Sequence, residues 1–230
     1  MIIMSLCAAI ELSAQDSSSA PSGPIKQGLT RFHSIDVDAP IKLSLIKIEE
    51  YDIPYIVYDT KGVYTSKFSF EVDKSGVLKI RERYDPKRET ITEVEVYYNN
   101  IQSIDISKAD VDVEGVVEAH LLDINASNDS HLIVEVYTKD LKVDITGKCC
   151  VEISGEALYQ TVDISTATYN AANLATMSSS ITASHNADVC VNATQRLIIK
   201  TSTGAKISYI SDPEIYREDV SLFGGEITQL

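Results

Sequence analysis

Val143-Asp144-Ile145-Thr146-Gly147 reads as an apolar residue, one polar residue, a second apolar residue and then a small cluster. The same phrase recurs on either side of it, as Ile104-Asp105-Ile106-Ser107, Leu122-Asp123-Ile124-Asn125, Val162-Asp163-Ile164-Ser165, Ile181-Thr182-Ala183-Ser184, Ile199-Lys200-Thr201-Ser202 and Val220-Ser221-Leu222-Phe223. Its second apolar position falls at 106, 124, 145, 164, 183, 201 and 222, in steps of 18, 21, 19, 19, 18 and 21. A fixed period of about 19 residues is the signature of a solenoid. A repeat this short holds two or three brief strands joined by tight turns, and stacking repeats pairs each strand with its equivalent one turn later, in parallel. The expected fold is therefore all-β: a right-handed parallel β-helix, a single-stranded solenoid.

Stacked equivalents form columns that can be read from the sequence. Ile104, Leu122, Val143, Val162, Ile181, Ile199 and Val220 make a wholly aliphatic column, expected inside. Ile106, Ile124, Ile145, Ile164, Ala183, Thr201 and Leu222 make a second one, two residues on, as the alternation of a strand requires. The residue between them points outward, and the small cluster that follows suits a corner where backbones crowd. An antiparallel sandwich also gives short strands at regular spacing, but it does not make one phrase recur seven times in register.

Upstream of the repeats the chain is strongly β as well. Alternating runs occur at 32–38, 41–48, 55–58, 67–72, 77–82 and 92–98, separated by turn residues such as Asp73-Lys74-Ser75-Gly76 and Asp85-Pro86. These spacings suit antiparallel hairpins that share the core of the repeats. The expected organisation is a signal peptide over 1–14, a disordered Ser/Pro-rich tether over 15–29, an N-terminal β-strand region over 30–103 and β-helix repeats over 104–230, with 30–230 as one structural unit. The first residues are too short an apolar run to span a bilayer and suit a secretory leader cut after Ala14. Lipidation at Cys7 is the alternative, though Met4-Ser5-Leu6 lacks the small residue such a site wants just ahead of it.

Composition narrows the function. A net charge of −14 over 230 residues argues against nucleic acid and anionic membrane surfaces as partners, because such binding needs clustered Lys and Arg. Cys149, Cys150 and Cys190 are an odd set with no CxxC or His/Cys spacing, so neither a disulfide framework nor zinc is expected, and all three read as small buried side chains. The outward position of the phrase is Asp105, Asp123, Asp144 and Asp163 in four successive repeats, a column of carboxylates at about 4.8 Å spacing that a cation or basic ligand could relieve. A solvated acidic face is the plainer account of the same residues. Carboxylate pairs at that distance also invite a glycosidase reading. Yet repetition produces such pairs automatically, and no lyase-like arrangement of cations accompanies them. His33, His120, His131 and His185 share no register. No catalytic, cofactor or metal residues are assigned, and no cofactor is expected.

An opening Phe32-His33-Ser34-Ile35-Asp36-Val37, a later Gly76-Val77-Leu78-Lys79-Ile80 and the repeated phrases together resemble the putative auto-transporter adhesin family with the head GIN domain. The resemblance spans Thr30 to Leu230, although only Thr146-Gly147, Thr203-Gly204-Ala205 and Gly224-Gly225 keep a glycine where that family's phrases carry one. It implies a β-helix in a secreted or cell-envelope protein of Bacteroidetes-like bacteria, periplasmic, outer-membrane-associated or extracellular, with no catalytic residues to carry over. The expected function is a non-catalytic, adhesin-like surface interaction module whose partner is a glycan or protein at the cell surface. The alternatives are a carbohydrate-active enzyme or glycan-binding protein on a β-helix scaffold, and a structural envelope protein. A binding module should carry one exposed, non-repeating patch of aromatic and polar residues, for which Tyr137, Tyr159, Tyr169 and Tyr209 are candidates.

Export makes a direct prediction: mass spectrometry of the protein from its native cell should find a mature chain beginning near Gln15, and an intact Met1 on cytoplasmic protein would refute it.

Overall fold

The alternation that defines the columns becomes burial in the computed structural model, which describes residues 23–62, 67–87, 89–221 and 223–230. The expected signal peptide, Cys7 and Leu222 lie outside those residues. The strands are β1 (Ile25–Gly28), β2 (Ser34–Asp38), β3 (Ile41–Lys47), β4 (Tyr55–Asp59), β5 (Phe68–Val72), β6 (Val77–Glu82), β7 (Thr92–Tyr98), β8 (Ser103–Ser107) and β9 (Asp110–Ser127). They continue as β10 (His131–Thr146), β11 (Cys150–Ser165), β12 (Thr168–Asn170), β13 (Leu174–Ser184), β14 (Asp188–Val191), β15 (Ala193–Thr201), β16 (Lys206–Tyr209), β17 (Ile215–Val220) and β18 (Glu226–Gln229). All belong to one continuous sheet that winds into a β-solenoid. Among the described residues no helix is long and apolar enough to cross a membrane.

From Ser103 the chain makes about seven turns, and each has up to three faces. Face one holds the repeated phrase; face two runs through 110–113, 131–134 and 150–153; face three runs through 116–122, 135–141 and 154–160. Neighbouring rungs pair in parallel and in register, save for bulges at Ile133/Glu135 and Thr176/Ser178. On face one, Leu78, Ile35, Ile104, Ile124, Val143, Val162, Ile181 and Ile199 stack in one column, each with 0% of its surface exposed. Burying each such side chain contributes about 1.5–3 kcal/mol.

This column corrects two members of the expected set. Ile104 pairs with Ile124, and Ile106 with Ala126, so the second repeat sits two residues later than the phrase suggested. Glu218 and Val220 occupy the last rung, opposite Ile199 and Thr201. A slip of two leaves every side chain on its own face, so alternation alone cannot detect it. The corner decides instead. Lys108, Asn128, Gly147, Thr166, His185 and Thr203 all have positive φ at the same bend. Placing Asn128 there forces Ser127, rather than Asn125, to close the phrase.

The residue entering face two is Ala39, Ala109, Ser130, Cys149, Ala167, Ala187 or Ala205, all buried. The slot admits only a small side chain, which accounts for Cys149; its thiol reaches Thr146 O at 3.4 Å, and burial pushes its pKa up. The expectation that all three cysteines are buried fails at Cys150, which is exposed because consecutive strand residues face opposite ways, and at Cys190, which is half-buried on the outer side.

The N-terminal region contains the expected antiparallel strands, β5 with β6 and β4 with both β1 and β7. It also supplies two rungs to the solenoid. β2 lies between β6 and β8, and β3 between β7 and β9, all in parallel. The stretch assigned to the tether, 15–29, is therefore cut short. Ile25–Gly28 forms β1, because its backbone groups find partners on the exposed edge of β4. Tyr58, Phe68 and Phe70 cluster with ring centroids 5.0–5.9 Å apart and close this end of the core.

Inside face three the column changes character, running Leu122, Leu141, Gln160, Ser179 and Leu197. The polar members satisfy one another. Gln160 Nε2 donates to the Tyr169 hydroxyl, Ser179 donates to Gln160 Oε1 at 2.9 Å, and the Thr176 and Ser179 hydroxyls are 2.8 Å apart. Gly155 makes the bend into this face with φ +105°, and a Cβ there would lie 2.1 Å from Val136 O.

Two variants test the register. Val143→Asp or Val162→Asp buries an unpaired charge and should cost about 3 kcal/mol or more by chemical denaturation; melting like the parent would refute the assigned columns. Gly155→Ala should cost at least about 2 kcal/mol through backbone strain and the clash with Val136, whereas Gly62→Ala, whose Cβ meets nothing within 4 Å, should cost less.

Candidate functional site

Outward positions on face one are polar along the whole stack: Lys79, Asp36, Asp105, Asn125, Asp144, Asp163, Thr182, Lys200 and Asp219. The two-residue correction moves Asp123 out of this column and Asn125 into it. Asp105, Asp144 and Asp163 remain on the same face, with Asn125 between the first two. Each of several acids has a local partner. Arg81 holds Asp36, Asn125 Nδ2 donates to Asp105 Oδ1, and Ser103 donates to Asp105 Oδ2 at 3.0 Å. Lys142 lies beside Asp123 on the neighbouring rung and meets Asp144 at 2.6 Å. That hydrogen bond, then the charge of Asp144, and more weakly the charges of Asp123 and Asp163, raise the Lys142 pKa. Among the described residues no group of three or more His, Cys, Asp or Glu side chains converges to hold a metal.

Face three is different, and its difference begins in the backbone. A trough runs along this face, and its floor is the backbone at Ala119, Thr138, Ala157 and Thr176, the last three of which have buried side chains. One wall is the column Glu118, Tyr137, Glu156 and Ala175, with Thr194 beyond it. The other wall carries His120, Lys139, Leu158 and Met177. The open trough is about 860 Å³, within the size range of ligand sites. Among residues 103–209 the large apolar side chains that stand well exposed are Leu121, Ile133, Tyr137, Leu158 and Tyr159, and all but Ile133 are on face three.

The trough is polar at its N-terminal end and apolar further along. Asn100, Gln102, Glu118 and His120 line the first part, Leu158, Ala175 and Met177 the part beyond it, and Thr194 closes the far end. Lys47 binds Glu118 at 2.7 Å, and this hydrogen bond, reinforced by charge, lowers the Glu118 pKa. A second hollow of about 930 Å³, lined by Arg31, Lys47, Glu49, Asp52, Asn99 and others, adjoins it through Asn100 and Glu118.

Of the four tyrosine candidates, Tyr137 stands in the trough with 60% of its surface exposed, and Tyr159 is exposed on the same face. Tyr169 is buried and serves the internal hydrogen-bond network, and Tyr209 is half-buried against Tyr216 at 5.4 Å. The sequence reading missed the other trough residues because they lie outside the repeated phrase. The signal present was a run of apolar residues at outward positions, Leu121, Tyr137 and Leu158, visible only once the register is fixed.

Comparison with known proteins agrees with this architecture. Among solved structures, a putative adhesin from Bacteroides fragilis superposes with a TM-score of 0.80 at 15% identity, covering 90% of this chain and 96% of that one. A putative adhesin from Parabacteroides merdae gives 0.71 at 15% identity, covering 90% and 95%. A putative lipid binding protein from Parabacteroides distasonis gives 0.70 at 14% identity, covering 90% and 96%. At these identities the likeness is one of fold. No curated protein matches the chain. The family model described as putative auto-transporter adhesin, head GIN domain, matches residues 31–213, and the chain belongs to that family.

Proposed function

We propose that this protein is an exported, non-catalytic interaction module of the cell envelope that engages a glycan or protein partner through the trough on face three. The observation that carries this reading is the concentration of exposed Leu121, Tyr137, Leu158 and Tyr159 on one face of a solenoid whose opposing column is polar. An exposed apolar patch rimmed by polar groups marks an interaction site. Membership of an adhesin family and the fold of its solved relatives support a surface role.

The electrostatics of the trough do not single out Glu118 as a general acid. A general acid acting at neutral pH needs a carboxyl whose pKa is raised. Lys47 pushes Glu118 the other way, so that it is held as a carboxylate. The acidic residues of face one, with Asp105 and Asp144 engaged by neighbours, serve in this reading as a solvated surface that keeps the solenoid from associating edge to edge.

The test is a pair of charge insertions at exposed positions. Tyr137→Asp with Leu158→Asp should leave the melting temperature within a few degrees of the parent, since both side chains are exposed, and should weaken retention on immobilised outer-envelope preparations about tenfold or more. Undiminished retention by the double variant would exclude the trough as the contact surface.

A further inference from the structure

We infer that the trough is a subsite for an extended neutral polysaccharide, whose sugar rings lie along the solenoid axis with one ring face on Tyr137. This rests on the reading of the trough as the contact surface and names the chemistry it recognises.

The first ground is spacing. The wall residues Glu118, Tyr137, Glu156 and Ala175 are equivalents on successive rungs, paired in register. They therefore repeat at the inter-strand distance of about 4.8 Å. An extended chain of linked pyranose rings advances by a similar length per unit, so over the few rungs of the trough successive units meet successive rungs with only a small offset. An acyl chain has no such period, and an open trough leaves much of it in water. A peptide adding as a β-strand needs a free sheet edge and runs parallel to the rungs, whereas a ligand lying along the axis crosses the middle rungs, β10 and β11, which are hydrogen-bonded on both sides.

The second ground is the lining. Tyr137 is a large exposed ring flanked on its own column by two carboxylates, Glu118 and Glu156. The apolar C–H face of a sugar packs on an aromatic ring while its hydroxyls donate to carboxylates at the edge. Asn100, Gln102 and Thr194 add hydrogen-bonding groups at the two ends, and the inward turn of the Thr138 and Ala157 side chains leaves the floor to backbone. The third ground is charge. The chain carries a net charge of −14, and although Lys139 and His120 stand on the opposite wall and Lys47 bonds Glu118, Tyr137 lies between Glu118 and Glu156, so the trough offers a polyanionic chain no cluster of cations.

Isothermal titration and a solid-phase assay should be run on the purified protein with neutral hexasaccharides of β-linked glucose, mannose and xylose, their disaccharides, polygalacturonate and phosphatidylcholine vesicles. At least one neutral hexasaccharide should bind about tenfold tighter than its disaccharide, because only the longer chain covers several rungs. Tyr137→Ala should weaken that binding about tenfold, Tyr137→Phe less than threefold, and Phe223→Ala, remote from the trough, not at all. Polygalacturonate should bind less well than the best neutral chain. Failure of every neutral hexasaccharide to bind, equal binding by Tyr137→Ala, or preference for polygalacturonate or vesicles would overturn the inference. If envelope retention is lost in the Tyr137→Asp, Leu158→Asp variant while no neutral saccharide binds, the contact surface stands and its ligand is another class. If retention is unchanged in that variant, the contact surface itself falls.

Discussion

In-register backbone hydrogen bonding between successive turns is the constraint on which everything else in this molecule depends. Once a strand pairs in parallel with its own equivalent, each side chain must tolerate a near copy of itself one rung above and below. That requirement turns sequence repetition into columns. It keeps the slot at the start of face two to Ala, Ser or Cys through Ala39, Ala109, Ser130, Cys149, Ala167, Ala187 and Ala205. It also keeps the bend before that slot in the left-handed region, whether the residue is Lys108, Asn128, Gly147 or Thr166. The corner can accept such different residues because the rung-to-rung bonds on both sides of it over-determine the backbone.

Face three shows what happens where that constraint acts with a different lining. Outside, the surface carries Leu121, Tyr137 and Leu158; inside, Gln160, Ser179 and Thr176 stand where the other faces place aliphatic side chains. The usual polarity of a solenoid wall is partly inverted here. The inversion is tolerable because the internal polar groups bond to one another and to Tyr169, so none is left to bear the full cost of desolvation. A face with a satisfied polar interior can present apolar groups outward without a competing arrangement that buries them, since a shift of one residue would break the register of both neighbouring rungs.

Much of this was readable from the chain alone, and the limits of that reading have physical causes. The columns through Val143, Val162, Ile181 and Ile199 follow from alternation plus period, and the structure buries them completely. The two-residue slip at Ile124 arises because Leu122 is also apolar and also buried, but on a different face, paired with Leu141. Pattern matching sees two equivalent choices there, while the positive φ of Asn128 admits one. The trough was hidden for a related reason: its residues are not part of the repeated phrase, and an outward Tyr or Leu cannot be told from an inward one until the bend at Gly155 is placed. Asp123 drops out of the acidic column by the same slip, and its displacement brings it beside Lys142.

The order of the first rungs has a consequence for how such a protein can change length. β2 and β3 form the first solenoid rung in the sequence but the second in the stack, held between β6–β7 on one side and β8–β9 on the other. A turn inserted or lost among the later repeats merely lengthens or shortens the column, because each of those turns touches only its predecessor and successor. No such freedom exists at the start. Removing the earliest rung in the sequence would extract the middle of a three-layer interlock and part the aromatic-capped end from the body. The molecule is thus modular in one direction only, with an indivisible head and an extensible tail, and gene-level duplication or deletion of single turns has a permissive end and a forbidden one.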